Sequence, residues 1–315
     1  MKKPLIILTG PTAVGKTDLS IDLAKAVNGE IVSADSMQVY KYMDIGSAKI
    51  KPEEMKGIRH HLVDAIEPNE DFNVVRFQKM AKAALDEIYK NGKIPIVTGG
   101  TGFYIQALLY DIDFEDTKED TSYRNTLEAL AEEKGCEYVH KMLEEVDKKA
   151  AMEIHPNNTK RVIRALEYFK ETGRPISEHN EEQRRKDSPY QFVYFVLNRE
   201  RATLYDRINL RIDQMLEAGL LDEVKSLAEK GYTKDMVSMQ GLGYKEILAY
   251  LDGEMTMEEA IYILKRDTRH FAKRQLTWFK REKDVTWIDL DTFQSRQQVL
   301  NEMIQICKKK EILKN

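Results

Sequence analysis

The stretch LIILTGPTAVGKT, residues 5–17, decides the fold. Leu5, Ile6, Ile7 and Leu8 form a short apolar run of the kind that a parallel sheet buries on both faces. Gly10, Gly15, Lys16 and Thr17 follow at the spacing G-x-x-x-x-G-K-T, and Leu19, Leu23 and Val27 then recur at helical intervals until Asn28-Gly29. Strand, glycine loop and helix in that order describe a phosphate-binding loop. Gly10, Thr12, Ala13, Val14, Gly15, Lys16 and Thr17 are expected to close around a di- or triphosphate at the helix N-terminus. Lys16 adds a point charge there, and the Thr17 hydroxyl can reach a magnesium ion, Mg2+.

Length and composition bound the rest. At 315 residues, 42% hydrophobic and 32% charged, the chain can bury a large core and is expected to be a soluble globular protein. Cys136 and Cys307 match no metal-ligand spacing and read as reduced thiols of a cytoplasmic protein. The apolar run behind Lys2 and Lys3 is too short for a signal peptide, so neither a targeting segment nor a membrane span is expected. A formal charge of −4 argues against indiscriminate nucleic-acid binding over the whole surface but says nothing against a local basic patch.

Three apolar runs, residues 5–8, 31–34 and 94–98, separated by helical patterns, predict an α/β fold: a P-loop NTPase-like parallel sheet core. Asn73 is placed to cap a helix carrying Phe77, Ala81, Leu85 and Ile88, closed by Asn91-Gly92. Ligands of open parallel sheets bind at the carboxyl ends of strands, so residues 9–17, Asp35-Ser36 and residues 99–101 should converge on one crevice. From about Asp113 the strand pattern stops, and charged helical patterns over 127–134, 138–148 and 159–172 predict an inserted all-helical domain. The expected division is 1–113 for the first part of the core, 114–189 for the insertion, and 190–315 for the second part. That second part opens with the β-rich run 190–197 and continues as helices over 204–218, 220–230, 244–250 and 257–281.

Several residues can carry chemistry. Asp35, at the end of the second strand, can hold magnesium, accept a proton from a nucleophile, or cap a helix. The strand 94–98 ends in glycines and Thr101 rather than a carboxylate, which weakens a simple ATPase reading. Arg207 and Arg211 lie four apart and can face one side, either neutralising a diphosphate or pairing with Asp206 and Asp213. His60 and His61 lack a third ligand nearby and are poor metal candidates. Residues 265–283, KRDTRHFAKRQLTWFKREK, hold eight Lys or Arg against Asp267 and Glu282. On a helix Arg266, Arg269, Lys273 and Lys280 fall near one face, with Arg274 beside them and Phe271, Trp278 and Phe279 for packing or for stacking on bases. The alternative is a solvated helix whose aromatics lie in the core. Lys160, Arg161 and Arg164 make a second, weaker basic cluster.

Taken together, GPTAVGKT, ADSMQVYKYMDIGSAK, GGTGFY, TGRPIS, SMQGLGYKE and RHFAKRQLTWFKR closely resemble the tRNA dimethylallyltransferases, also called tRNA isopentenyltransferases. The resemblance runs from about Pro4 to Trp287 and is to the compact bacterial form, since two isolated cysteines cannot build the C-terminal zinc finger of some relatives. It implies transfer of a dimethylallyl group from dimethylallyl diphosphate to N6 of adenosine 37 in the anticodon stem-loop of tRNA. The loop N–H groups and Lys16 suit the charge on a departing diphosphate, and Asp35 suits the N6 proton; by this resemblance Thr101 and an arginine of RINLR, Arg211 ahead of Arg207, contact the diphosphate. Asp35, Ser36, Met37 and Gln38 would meet the target nucleotide and its neighbours, while Thr101 and Arg124 lie near the tRNA path. A monomer without a membrane partner is expected. A small-molecule P-loop kinase, prenylation of a free adenine nucleotide, and a non-catalytic RNA-binding module are the competing readings. The insertion and the basic helix favour tRNA over a mononucleotide.

Overall fold

The computed structural model describes residues 2–114 and 122–313. It divides into two compact units, Met1–Leu109 with Pro189–Asn315, and Tyr110–Ser188. The first opens with strand Lys3–Thr9 (β1), the glycine loop and helix Lys16–Val27 (α1), which stops where Asn28 turns left-handed at φ 52° and donates its N–H to Ala24 O. Strands Gly29–Ser33 (β2) and His60–His61 (β3) follow. Helix Val74–Lys90 (α2) is capped as expected by Asn73, whose side chain accepts the Arg76 N–H. Strand Ile94–Gly99 (β4) then leads into helix Gly102–Leu109 (α3).

In the second unit the described elements are helices: Ser122–Lys134 (α4), Cys136–Val146 (α5), Lys148–Glu153 (α6), Thr159–Thr172 (α7) and Ile176–Arg184 (α8). Leu127, Val139, Leu143, Val162, Ile163 and Leu166 from the apolar faces of three of these helices meet in its core. The helix predicted over 138–148 breaks at Asp147. Its Oδ1 accepts the Ala150 N–H and the Ser177 hydroxyl, and its Oδ2 accepts the Ser177 N–H, so capping α6 wins over continuing α5.

The first unit resumes with strand Tyr190–Asn198 (β5) and helices Arg201–Glu217 (α9), Leu220–Glu229 (α10), Tyr244–Leu251 (α11) and Met257–Phe279 (α12). Strand Val285–Asp289 (β6) and helix Arg296–Lys309 (α13) complete it. The six strands run in the order β3-β2-β4-β1-β5-β6, and every pairing is parallel. β1 lies between β4 and β5, Thr9 standing opposite Gly99 on one side and Val196 on the other, so the loops that leave these strands start at one level. This is the predicted α/β class. β3 and β6 are the strands that the sequence reading missed. In β3 the histidines are structural: His60 Nδ1 lies 2.9 Å from Ile58 O and His61 Nε2 lies 2.8 Å from Glu30 Oε2. Among the described residues no helix is long and apolar enough to cross a membrane.

Candidate active site

The carboxyl ends of β1, β2 and β4 open onto a cavity of about 1220 Å³. Thr12, Lys16, Thr17, Asp35, Thr101 and Arg211 all line it, as do Ser36, Met37 and Gln38, so the three predicted strand ends do converge. The loop before α1 is shaped by Gly10, whose φ of +151° and a hypothetical Cβ only 2.6 Å from Leu197 O leave no room for a side chain. Four carbonyls of this loop, those of Gly10, Pro11, Ala13 and Val14, are engaged by cationic side chains. Lys16 Nζ donates to Gly10 O and Pro11 O at 2.9 Å each, Arg207 Nε to Ala13 O at 2.8 Å, and Arg199 Nε to Val14 O at 3.1 Å. With the carbonyl dipoles so engaged, the N–H groups from Gly15 into the first turn of α1 are left for an anion.

Two loop residues do not fill their predicted role as backbone donors. The Thr12 N–H is taken by Gln275 Oε1 at 2.9 Å, and the Val14 N–H by Pro11 O at 3.3 Å. Neither Gly10 nor Val14 lines the cavity, the latter because its side chain is buried beneath the loop.

Burial dominates the electrostatics. Desolvation lowers the Lys16 pKa to about 8, the nearby Asp35 opposing the shift and Arg211 adding to it. Desolvation also lowers the Arg211 pKa, again against Asp35 and with Arg207. One guanidinium and an ammonium thus share one carboxylate, with Arg207 adding a further positive charge beside Arg211, an arrangement that an entering polyanion relieves. The alternative in which Arg207 and Arg211 pair with Asp206 and Asp213 is not what forms: Asp213 binds Lys265 at 2.5 Å.

Asp35 uses one of its two oxygens locally. Its Oδ1 accepts the N–H of Met37 at 2.9 Å and of Gln38 at 3.4 Å, which closes a turn over residues 36–39 rather than the helix cap that the sequence allowed, since no helix starts there. Among the described residues Oδ2 accepts no hydrogen bond from the protein and remains available to a substrate proton. Thr101 is seated by its own N–H on Ala34 O at 3.3 Å, immediately before Asp35. Tyr104, one turn further along α3, has its pKa pushed up to about 12 by burial, with Tyr40 and Asp35 adding to the shift.

A feature without a sequence signal forms the opposite wall. Glu223 on α10 accepts the N–H groups of Asp44, Ile45 and Gly46 at 2.9, 2.7 and 3.0 Å and the Tyr244 hydroxyl at 2.8 Å. Lys49 is buried with its ammonium on Tyr40 O, Asp44 Oδ1 and Asp64 Oδ1. These contacts join residues far apart in sequence, and no local pattern announces them.

The basic stripe of α12 is narrower than predicted. Lys273, Arg274 and Lys280 are exposed, but Arg266 pairs with Asp267 at 2.8 Å and Arg269 donates to Asn209 Oδ1 at 2.8 Å. Phe279 is fully buried, and Trp278 packs on Gly102 and Phe103, so of the three aromatics Phe271, which lines the cavity, is the one left to meet a base. In the second unit Lys160 and Arg161 are exposed and Arg164 half-buried at the start of α7, while Arg124 is held by a two-point pair to Glu167 at 3.0 and 2.7 Å.

Comparison with known proteins adds four relationships. The profile of the IPP transferase family matches residues 38–282. A tRNA dimethylallyltransferase of Lachnoclostridium phytofermentans is 63% identical over 99% of this chain and 100% of its own. Among solved structures, the tRNA isopentenylpyrophosphate transferase of Bacillus halodurans is 46% identical with a TM-score of 0.73, covering 98% of both chains. A eukaryotic dimethylallyltransferase described as acting on tRNA superposes with a TM-score of 0.82 at 31% identity, over 96% of this chain and 80% of that one.

Proposed function

The chain belongs to the IPP transferase family and is a tRNA dimethylallyltransferase, and from that premise we propose how its residues divide the reaction. The donor is dimethylallyl diphosphate and the acceptor is N6 of adenosine 37 in the anticodon loop. The C1–O bond of the donor breaks with its electron pair leaving on the diphosphate, and the N6 lone pair forms the new C–N bond. Asp35 Oδ2 takes the N6 proton. The N–H groups at the start of α1, Lys16, Thr101 and Arg211 stabilise the charge that builds on the departing diphosphate, where such donors act most strongly. Arg207 braces the loop through Ala13 O as well as lining the cavity.

The observation that carries this assignment is the shared cavity: a cationic anion cradle stands beside one carboxylate whose second oxygen is uncommitted. Adenine N6 is a poor nucleophile because its lone pair is delocalised into the ring, so a proton acceptor fixed by two backbone N–H groups is the partner it needs. The base must be turned out of the loop to reach it, at a cost of about a few kcal/mol. Lys273, Arg274 and Lys280 are suited to offset that cost through backbone phosphates, with Lys160 and Arg161 as a second contact.

Magnesium fits the donor set. Among the described residues no cluster of three or more His, Cys, Asp or Glu could cage a metal. Magnesium instead favours a few protein oxygens completed by substrate phosphates and water, and the Thr17 hydroxyl at the start of α1 is such an oxygen. Bound there, it would add positive charge beside the diphosphate.

The test is incubation with bulk tRNA lacking the modification and labelled dimethylallyl diphosphate, followed by nucleoside analysis. Label in N6-dimethylallyladenosine at position 37 is expected. Label at another nucleotide, or transfer to free AMP at comparable efficiency, refutes the assignment.

A further inference from the structure

Gln275 stands between the two loops that line the anion side of the cavity. It is 6% exposed. Its Oε1 accepts the Thr12 N–H at 2.9 Å from the loop after β1, and its Nε2 donates to Gly100 O at 3.0 Å in the loop after β4. A primary amide offers an acceptor and a donor at fixed separation, and the two loops present the complementary donor and acceptor. The loop approaches the helix closely at both glycines: a Cβ on Gly100 would lie 2.1 Å from Gln275 Nε2, and a Cβ on Gly102 would lie 2.2 Å from Cδ1 of Trp278, one helical turn after Gln275. α12 is therefore seated on the 99–102 loop at two successive turns, with Lys273 and Arg274 exposed immediately before the bridge.

We infer that Gln275 is a positioning residue for prenyl transfer, its amide locking the phosphate loop to the Thr101 loop so that both meet the same diphosphate. The inference rests on the diphosphate assignment above. Neither loop can shift without breaking a hydrogen bond to this buried side chain, and an unpaired buried amide is costly. Because the bridge belongs to the helix that carries the exposed cations, seating RNA on α12 fixes the same element that spaces the two anion-binding loops. Gln275 lines the cavity, but its Oε1 and Nε2 are both engaged by the two loops, so the role assigned to it is to position them.

Two variants test it. Gln275→Met keeps the volume and removes both hydrogen bonds. The single-turnover rate at saturating tRNA and donor should fall roughly tenfold or more, the scale of a sub-ångström misalignment of reacting groups. The tRNA dissociation constant should stay within about twofold and the melting temperature within about 4 °C. In Gln275→Glu the carboxylate keeps the Thr12 bond but cannot donate to Gly100 O, whereas the carboxylic acid can make both. The ratio of variant to wild-type rate should therefore climb as pH is lowered from about 8 to about 5.5, a response that loss of packing alone does not produce. An unchanged rate in Gln275→Met, a loss wholly accounted for by tRNA affinity or melting, or a pH-independent ratio for Gln275→Glu overturns the inference. Lys16→Ala, run in parallel, separates the two levels. If it leaves donor KM and rate untouched, the diphosphate assignment has failed. If it abolishes transfer while Gln275→Met is silent, only the positioning role has failed.

Discussion

Replacing Lys273, Arg274 and Lys280 with alanine measures how much of tRNA binding runs through α12. All three are exposed and have no carboxylate partner among the described residues, whereas Lys265 and Arg266 on the same helix are paired with Asp213 and Asp267 at 2.5 and 2.8 Å. A cation that neutralises one nucleic-acid phosphate contributes about 0.7 to 0.9 to the slope of log affinity against log salt. Three such contacts amount to a slope of about 2 to 3, so between about 50 and 200 mM salt the wild type should lose roughly 20- to 40-fold more affinity than the triple variant. Fluorescence anisotropy of a labelled anticodon stem-loop across a salt series reads this directly. Lys265→Ala, which removes a cation already engaged by Asp213, should alter the slope by less than about half a unit. Parallel salt lines for wild type and triple variant would remove α12 from the RNA-binding surface. A slope change in Lys265→Ala as large as one third of the triple effect would show that overall charge, not phosphate contact, is being measured.

Three further outcomes are expected. Lys16→Ala should abolish transfer while filter binding of tRNA is retained, because the α12 cations lie outside the phosphate loop; parallel loss of both would break that separation. Asp35→Asn keeps an oxygen to cap Met37 and Gln38 but removes the proton acceptor, so single-turnover rates should drop roughly 10²-fold or more with little change in donor affinity, and a near-wild-type rate would leave Asp35 with capping alone. With the Lys16 pKa near 8, kcat/KM for the donor should fall as pH rises through about 8 and the charged amine is lost, and Lys16→Arg should remove that limb. The same depressed value means that the folded state binds fewer protons than the unfolded one between about 8 and 10.5, so this group's contribution to stability becomes more favourable as pH rises across that window.

The legible parts of the molecule were those with a local cause. The glycine loop, the Asn73 cap and α7 each follow from residues within a turn or two of one another, and the structure places them where the pattern does. Asp35 is legible as a candidate because it closely follows a strand, although only coordinates show that one of its oxygens is spent on Met37 and Gln38. The misses share a different cause. β3 is two residues long and β6 is five residues long with Trp287 exposed, so both are strands by virtue of their partners rather than their own pattern. The break at Asp147 depends on Ser177, thirty residues away, and the loss of Thr12 as an anion donor depends on Gln275. The basic stripe was read correctly as charge, but how much of it is spent internally is set by Asp213, Asp267 and Asn209, which periodicity on one helix could not apportion.

The anchoring of residues 44–46 by Glu223 has a kinetic consequence. This stretch belongs to no strand or helix, yet three consecutive amides end on one carboxylate and Lys49 is pinned behind them. Hydrogen exchange at Asp44, Ile45 and Gly46 then requires α10 to withdraw, and these amides should exchange as slowly as those of a core strand rather than those of a loop. A wall that does not open and close spontaneously leaves the cavity in one shape between turnovers. On the proposed assignment the donor enters a site whose wall is already built, and the rearrangement still required is that of the RNA, whose base has to leave its stack before it can enter.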